Sequence, residues 1–212
     1  VLTGGAGQNP ARQAAIKSGI PIEKPAYIVN QVCGSGIRSV ASAFQSIKSG
    51  DSKIVLAGGQ ESMSLAPHAI HLRDGKKLGN VEMTDTMIKD GLWDAFHGYH
   101  MGVTAENVAE KFQVTREDQD NFALKSQEKA LNAQKEKKFQ NEIIDFKIKS
   151  KKNEVIFNID EHTREGLNID SLKRLKPVFK KDGTVTAGNA SGINDGAAAV
   201  TLMTSEEADR RQ

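Results

Sequence analysis

Apolar positions recur along this chain with two periods, and the switches between them outline its elements. Pro10 at a first helical position, Ala11, Ala14, Ala15 and Ile16 on one helical face, and Gly19 as a stop predict a short helix from about Ala11 to Ser18. Ala26-Tyr27-Ile28-Val29-Asn30 reads as a short strand. It leads through Gln31-Val32-Cys33 into Gly34-Ser35-Gly36, after which Ile37, Val40, Ala41, Phe44 and Ile47 recur at helical spacing up to Gly50. Lys53-Ile54-Val55-Leu56-Ala57 predicts a second buried strand ended by Gly58-Gly59. Residues 26–59 therefore read as a β-α-β unit, the connection that two parallel strands require.

From Gln60 to about His100 neither period persists, and so long an irregular stretch in a compact domain points to a functional excursion. Helical spacing returns at Thr104 to Phe112. Thr115 with Asp118 three residues on resembles a capping box, with Asp in the place of Glu or Gln, opening a long helix that carries Phe122, Ala123, Leu124, Ala130, Leu131 and Ala133. Glu142 to Ile148 and Glu154 to Ile159 alternate as a hairpin whose turn falls in Lys149 to Asn153. Thr184 to Ala187 and Ala197 to Met203 are two more strand candidates. Between them Gly188-Asn189-Ala190-Ser191-Gly192 is a loop of small residues able to run close to a ligand, and another helix begins after Ser205. No internal repeat is visible.

Composition narrows the class. With 38% hydrophobic residues, 19 glycines and 26% charged residues in 212, the chain is globular, neither disordered nor collagen-like. No apolar run approaches the ~18 to 20 residues of a membrane span, and no signal-like segment opens the chain, so a cytoplasmic protein without membrane partner is expected. One cysteine excludes an internal disulfide. A net charge of +2 does not call for a polyanionic partner. The lysines between Lys135 and Lys152 are interleaved with Glu136, Glu142 and Asp145, the pattern of a solvated face, and with aromatics at 5% a nucleic-acid partner is not expected. The chain begins without Met at Val1 and stops a few residues into a helix, which suggests a piece of a longer protein.

Two groups of residues could carry chemistry. Cys33 lies at the strand-to-helix turn, where unpaired N–H groups and the helix dipole favour a thiolate and can hold a developing oxyanion. Gly34 and Gly36 keep that turn clear of side chains. The competing reading is a buried free cysteine serving as a small hydrophobe. A dinucleotide loop is disfavoured because Ser39 stands where a third glycine is required. His68 with His71 and His97 with His100 are two pairs at metal-ligand spacing, but both fall in the irregular stretch, and ordinary loop or pocket histidines are the favoured reading over zinc.

Four ordered motifs resemble those of the thiolases, nearest in pattern to the biosynthetic members that condense acetyl-CoA. They are Asn30-Gln31-Val32-Cys33-Gly34-Ser35-Gly36, Gly58-Gly59-Gln60-Glu61-Ser62-Met63-Ser64, Gly98-Tyr99-His100-Met101-Gly102 with Thr104-Ala105-Glu106-Asn107, and Gly188-Asn189-Ala190-Ser191-Gly192 with Asn194-Asp195-Gly196. The resemblance implies an α/β fold, a layered arrangement of a mixed sheet between helices, with an inserted α+β loop domain and with the second core half absent from this chain. Residues 1–62 and 193–212 would form the incomplete N-terminal core. Residues 63–192 would form the insertion, with coenzyme A binding and subunit contacts.

The resemblance also implies an acyltransferase. Two acetyl-CoA would give acetoacetyl-CoA and CoA, or the reverse, through an acyl-cysteine on Cys33. Leu92, His100 and Met101 would line the pantetheine and acetyl pocket, Met101 being associated with short acyl groups. Arg164 and Ser171 would meet the nucleotide end of coenzyme A, and Ala190 and Ser191 its pantetheine arm. His162 stands where many relatives have an aromatic residue. No metal and no cofactor beyond the coenzyme A thioester substrate is implied, and the partner is a second copy of the chain, as a homo-oligomer and most simply a tetramer. The family's Gly-His-Pro, Asn-Glu-Ala-Phe and second-cysteine motifs do not occur in these residues, so the chain by itself is expected to be inactive. The alternative is a non-catalytic acyl-CoA-binding or assembly module in which Cys33 is merely buried.

Overall fold

The computed structural model describes residues 1–149 and 153–212. The chain divides into two compact units, one of residues 1–98 with 193–212 and the other of residues 99–192.

The first unit opens with α1 (Pro10–Lys17), where the side chain of Asn9 accepts from the amide of Arg12 and Pro10 stands in the first turn. Its second helix, α2 (Ser35–Lys48), lies on a two-stranded sheet of β1 (Ile54–Ser62) and β6 (Asp195–Met203). These strands are antiparallel, in register from Ile54 opposite Met203 to Ser62 opposite Asp195. The register is pinned at one end by Asp195, which accepts from both the amide and the hydroxyl of Ser64. Those bonds, led by the hydroxyl, hold the Asp195 carboxyl below its usual pKa. Two minimal strands, β2 (His68–Ala69) and β3 (Thr84–Asp85), pair with each other, a π-helical segment spans Met87–Leu92, and α6 (Ser205–Arg211) follows β6.

Two expectations for this unit are corrected. Residues 26–30 pair with no strand, so the β-α-β unit does not form. The nearby carbonyls are taken by α1 instead: Asn9 donates to the carbonyl of Ala26, and Arg12 to those of Lys24 and Ile22. The glycines also do not end β1, which runs through Gly58-Gly59 to Ser62. Gly58 faces the backbone of Ala198 and Ala199 so closely that any Cβ would collide with it. The missing side chain permits this close strand approach, and the small residues of Ala197-Ala198-Ala199 permit it from the other side.

The second unit contains α3 (Met101–Phe112), α4 (Arg116–Lys135) and a short α5 (Ile169–Lys173), with β4 (Phe146–Lys149) and β5 (Glu154–Phe157) as an antiparallel hairpin. The strands are shorter than the sequence pattern predicts, and residues 150–152 of the expected turn lie outside the described residues. The capping box at α4 is complete, with Thr115 and Asp118 each accepting from the other's backbone amide. Helix α3 begins three residues before its apolar pattern because His100 serves as its N-cap. Thr184 to Ala187 is not a strand. The amides of Thr184 and Val185 donate to the carboxylate of Glu106 rather than to a neighbouring strand. Ala109, Leu172 and Val185 form the buried apolar centre of this unit. No helix among the described residues is long and apolar enough to cross a membrane.

Candidate active site

Cys33 sits two residues before α2 in a turn closed by its own neighbours. The amide of Gly34 donates to the carbonyl of Gln31 at 3.0 Å, and that of Ser35 to the carbonyl of Val32 at 3.1 Å. The hydroxyl of Ser35 accepts from the amide of Gln31 at 2.8 Å and donates to the carbonyl of Val32 at 2.7 Å, while Asn30 accepts from the amide of Val32 at 3.0 Å. Val32 is thereby held at φ 48°, a left-handed conformation unusual for a β-branched residue. The result presents Cys33 to solvent at the start of a 14-residue helix whose N-cap, Gly34, makes no side-chain hydrogen bond. In this chain Cys33 is exposed, not packed as a small hydrophobe. Helix α2 is tied to the sheet by Ser39, which donates to the carbonyl of Gly58 at 2.8 Å, so the residue that breaks the glycine pattern anchors the turn.

Leu92 ends the π-helical segment of the same unit and is half-buried. Of the paired histidines, His68 lies 4.0 Å from Asp85 and His97 lies 2.9 Å from Asp94. Asp94 also accepts from the amides of His97 and Phe96, and these bonds lower its pKa.

The second unit holds the other candidates. His100 accepts from the amide of Gly102 through Nδ1 at 2.9 Å, which leaves Nε2 to carry the proton of the neutral ring. Its ring stacks on Phe179 at 4.8 Å between centroids. Gly102 makes that packing possible, because a Cβ there would overlap the Phe179 ring. Met101 opens α3 and is partly exposed. Arg164 is exposed, its amide donating to Oε1 of Gln127 at 2.9 Å. Ser171 belongs to the capping box of α5, its hydroxyl donating to the carbonyl of Asn168 at 2.6 Å. Ala190 and Ser191 are exposed at the end of the small-residue loop, and His162 is exposed nearby in sequence to Arg164.

Sequence reasoning missed two buried polar groups of this unit. Glu106, 3% exposed, accepts from the amides of Thr184 and Val185 and from the Thr184 hydroxyl. Burial acts to raise its pKa, but those bonds and the charge of Lys180 outweigh it, and the net shift is downward. Asp120 is fully buried and paired with Arg116 at 2.8 Å. The i,i+4 spacing of Arg116 and Asp120 was the available signal for that pair.

Residues 1–206 match the family described as Thiolase, N-terminal domain. The acetyl-CoA acetyltransferase of Rhizobium meliloti (strain 1021) is 61% identical over 211 residues, covering 100% of this chain and 54% of that protein. The cytosolic acetyl-CoA acetyltransferase of Rattus norvegicus is 54% identical over 213 residues, again covering 100% of this chain and 54% of that protein. Among solved structures, the acetyl-CoA acetyltransferase of Syntrophomonas wolfei superposes with a TM-score of 0.94 at 41% identity, over 99% of this chain and 53% of that one. That of Bacillus anthracis gives 0.90 at 42%, over 96% and 52%. The fold is thus thiolase-like, a mixed arrangement of helices and sheet. The chain belongs to the thiolase family through its N-terminal domain, and it spans about half the length of the curated relatives it matches.

Proposed function

We propose that this chain is the N-terminal part of an acetyl-CoA acetyltransferase, which joins two acetyl-CoA into acetoacetyl-CoA and CoA or runs the reverse thiolysis. The exposed Cys33, offered from a tight turn at the start of α2, carries this reading. Its thiolate attacks the thioester carbonyl of the first acetyl-CoA, the carbonyl oxygen takes up negative charge beside the amides of the helix start, and CoA leaves as its thiol after protonation. The carbanion equivalent of a second acetyl-CoA then attacks the acetyl-cysteine, forming the carbon–carbon bond and restoring Cys33. The histidine that activates the nucleophile and helps bind the thioester oxygen, the asparagine that holds an oxyanion-hole water and the second cysteine that moves the proton of the carbon–carbon step are contributed by the family's other half, so residues 1–212 alone turn nothing over.

In this reading Leu92, His100 and Met101 line the acyl and pantetheine pocket, Met101 favouring short acyl groups. Arg164 and Ser171 hold the nucleotide end, with Ser171 able to offer only a lone pair because its proton is given to Asn168. Ala190 and Ser191 flank the pantetheine arm. Residues 63–192 serve as the insertion on the core of residues 1–62 and 193–212, the protein works as a cytoplasmic homotetramer, and the reaction needs no metal or cofactor besides its substrate. The test is Cys33→Ser in the full-length protein. Turnover should vanish while acetyl-CoA binding, measured by calorimetry, stays within a few-fold, since the hydroxyl is a far weaker nucleophile near neutral pH. Retained turnover would overturn the assignment.

A further inference from the structure

The reading above spreads coenzyme A over three separate stretches of the second unit, around Arg164, Ser171 and Ala190-Ser191. All three are gripped by one face of α4. Arg116, Asp120, Gln127 and Gln134 stand at i, i+4, i+11 and i+18, which a period of 3.6 residues brings within about 40° of one another.

Asp120 accepts from the side-chain amide of Asn189 at 2.9 Å. The same amide group donates to the carbonyl of Thr184 at 3.0 Å and accepts from the amide of Thr186 at 2.7 Å, closing the loop immediately before Ala190. Arg116 donates to the other oxygen of Asp120 at 2.8 Å, and to the carbonyls of Leu172 at 2.7 Å, in the last turn of the short helix that carries Ser171, and of Leu175 at 3.0 Å, just beyond that helix. Gln127 accepts from the amide of Arg164. Gln134 accepts from the Thr163 hydroxyl at 3.0 Å and donates to the carbonyl of Asp160 at 3.1 Å. A helix face turned toward neighbouring chain is ordinarily apolar. This one interleaves Ala123 with four polar side chains, one of them a fully buried carboxylate, and each of those four ends on the backbone or side chain of a segment proposed to touch the coenzyme.

We propose that this stripe is the positioning element of the coenzyme A site. Its side chains do not touch the ligand; they fix the spacing between the nucleotide-binding end, through Gln127 and Gln134, and the pantetheine-binding loop, through Asp120 and Asn189. The proposal rests on the coenzyme A reading of Arg164 and Ala190-Ser191. It predicts that damage at one end of the stripe is felt only by the matching end of the ligand.

The test compares kcat and KM for acetoacetyl-CoA and acetoacetyl-pantetheine in the full-length protein. Gln127→Ala should raise KM for the coenzyme A thioester about three- to tenfold, the size of one lost hydrogen bond, and leave KM for the pantetheine thioester and both kcat values within about twofold. Gln127→Glu keeps an acceptor oxygen for the Arg164 amide and should restore KM. Asn189→Ala should raise KM for both thioesters alike. A Gln127→Ala variant that shifts both KM values equally, or only lowers the melting temperature, overturns the proposal. Arg164→Ala separates the two levels: if it changes the ratio of KM values while Gln127→Ala does not, the stripe fails and the nucleotide reading stands. If Arg164→Ala leaves the ratio unmoved, both fail.

Discussion

Replacing Glu106 by glutamine keeps the shape of a side chain that is 3% exposed and removes its charge. One carboxylate oxygen accepts from the amides of Val185 at 2.8 Å and Thr184 at 2.9 Å, the other from the amide and hydroxyl of Thr184, both at 2.9 Å. The Thr184 hydroxyl can turn to accept from the new amide, but the Thr184 N–H cannot, so one oxygen must serve both backbone donors without charge assistance. Hydrogen bonds to a charged group contribute about 1.5–3 kcal/mol and neutral ones about 0.5–1.5, so two weakened bonds cost about 2 kcal/mol. Local opening of residues 184–186 should then rise about thirtyfold, read as faster amide hydrogen exchange corrected for intrinsic rates. The sign with pH is fixed by the lowered pKa of Glu106. A depressed carboxyl stabilises fully above its ordinary pKa and loses that contribution as pH falls through its folded value, so the gap between wild type and variant is full at neutral pH and closes in acid. Equal exchange in the two proteins at neutral pH, or a gap that persists unchanged into acid, would refute the carboxylate's role.

Gly58→Ala should destabilise the protein by about 2–3 kcal/mol in urea unfolding, because its Cβ would collide with the backbone of Ala198 and Ala199; a neutral effect would contradict the close approach of β1 and β6. Val32→Gly should raise the melting temperature, since relief of about 1–3 kcal/mol of left-handed strain exceeds the roughly 0.5–1 kcal/mol entropy cost of glycine. A fall of several degrees would show that φ 48° is not strained. His100→Ala should lower stability by about 1 kcal/mol through loss of the α3 cap, measured by thermal melting, where an unchanged curve would dismiss the cap.

Helices were the legible part of the sequence. The stop and start residues around α1, α2 and α4 act locally, within a turn of the chain, and Pro10, Gly50 and Thr115-Asp118 mark ends that lie within a few residues of the observed ones. Pairing is not local. Nothing in Ala26 to Asn30 shows that its neighbouring carbonyls are claimed by Asn9 and Arg12, and nothing in Thr184 to Ala187 shows that a glutamate nearly eighty positions earlier satisfies its amides. Gly58-Gly59 misled because glycine permits both a turn and a close strand contact, and only the partner strand decides between them. The place of Cys33 before a helix was readable; its exposure and the strained Val32 beside it depend on the bonds from Asn30 and Ser35. The apolar stripe of α2 was read correctly as helical, yet Ile37 and Phe44 stay 78% and 60% exposed, because periodicity reports a helix face without reporting what covers it.

The most direct measurement is the site of acylation. Full-length protein is mixed with acetyl-CoA labelled in its acetyl group, quenched in acid during turnover, digested and analysed by peptide mass spectrometry. The proposed chemistry predicts one labelled acetyl group per chain, on the peptide that contains Cys33, and its discharge when free CoA is added before the quench. A label on any other residue, or turnover with Cys33 unmodified throughout, would contradict the acyl-cysteine mechanism.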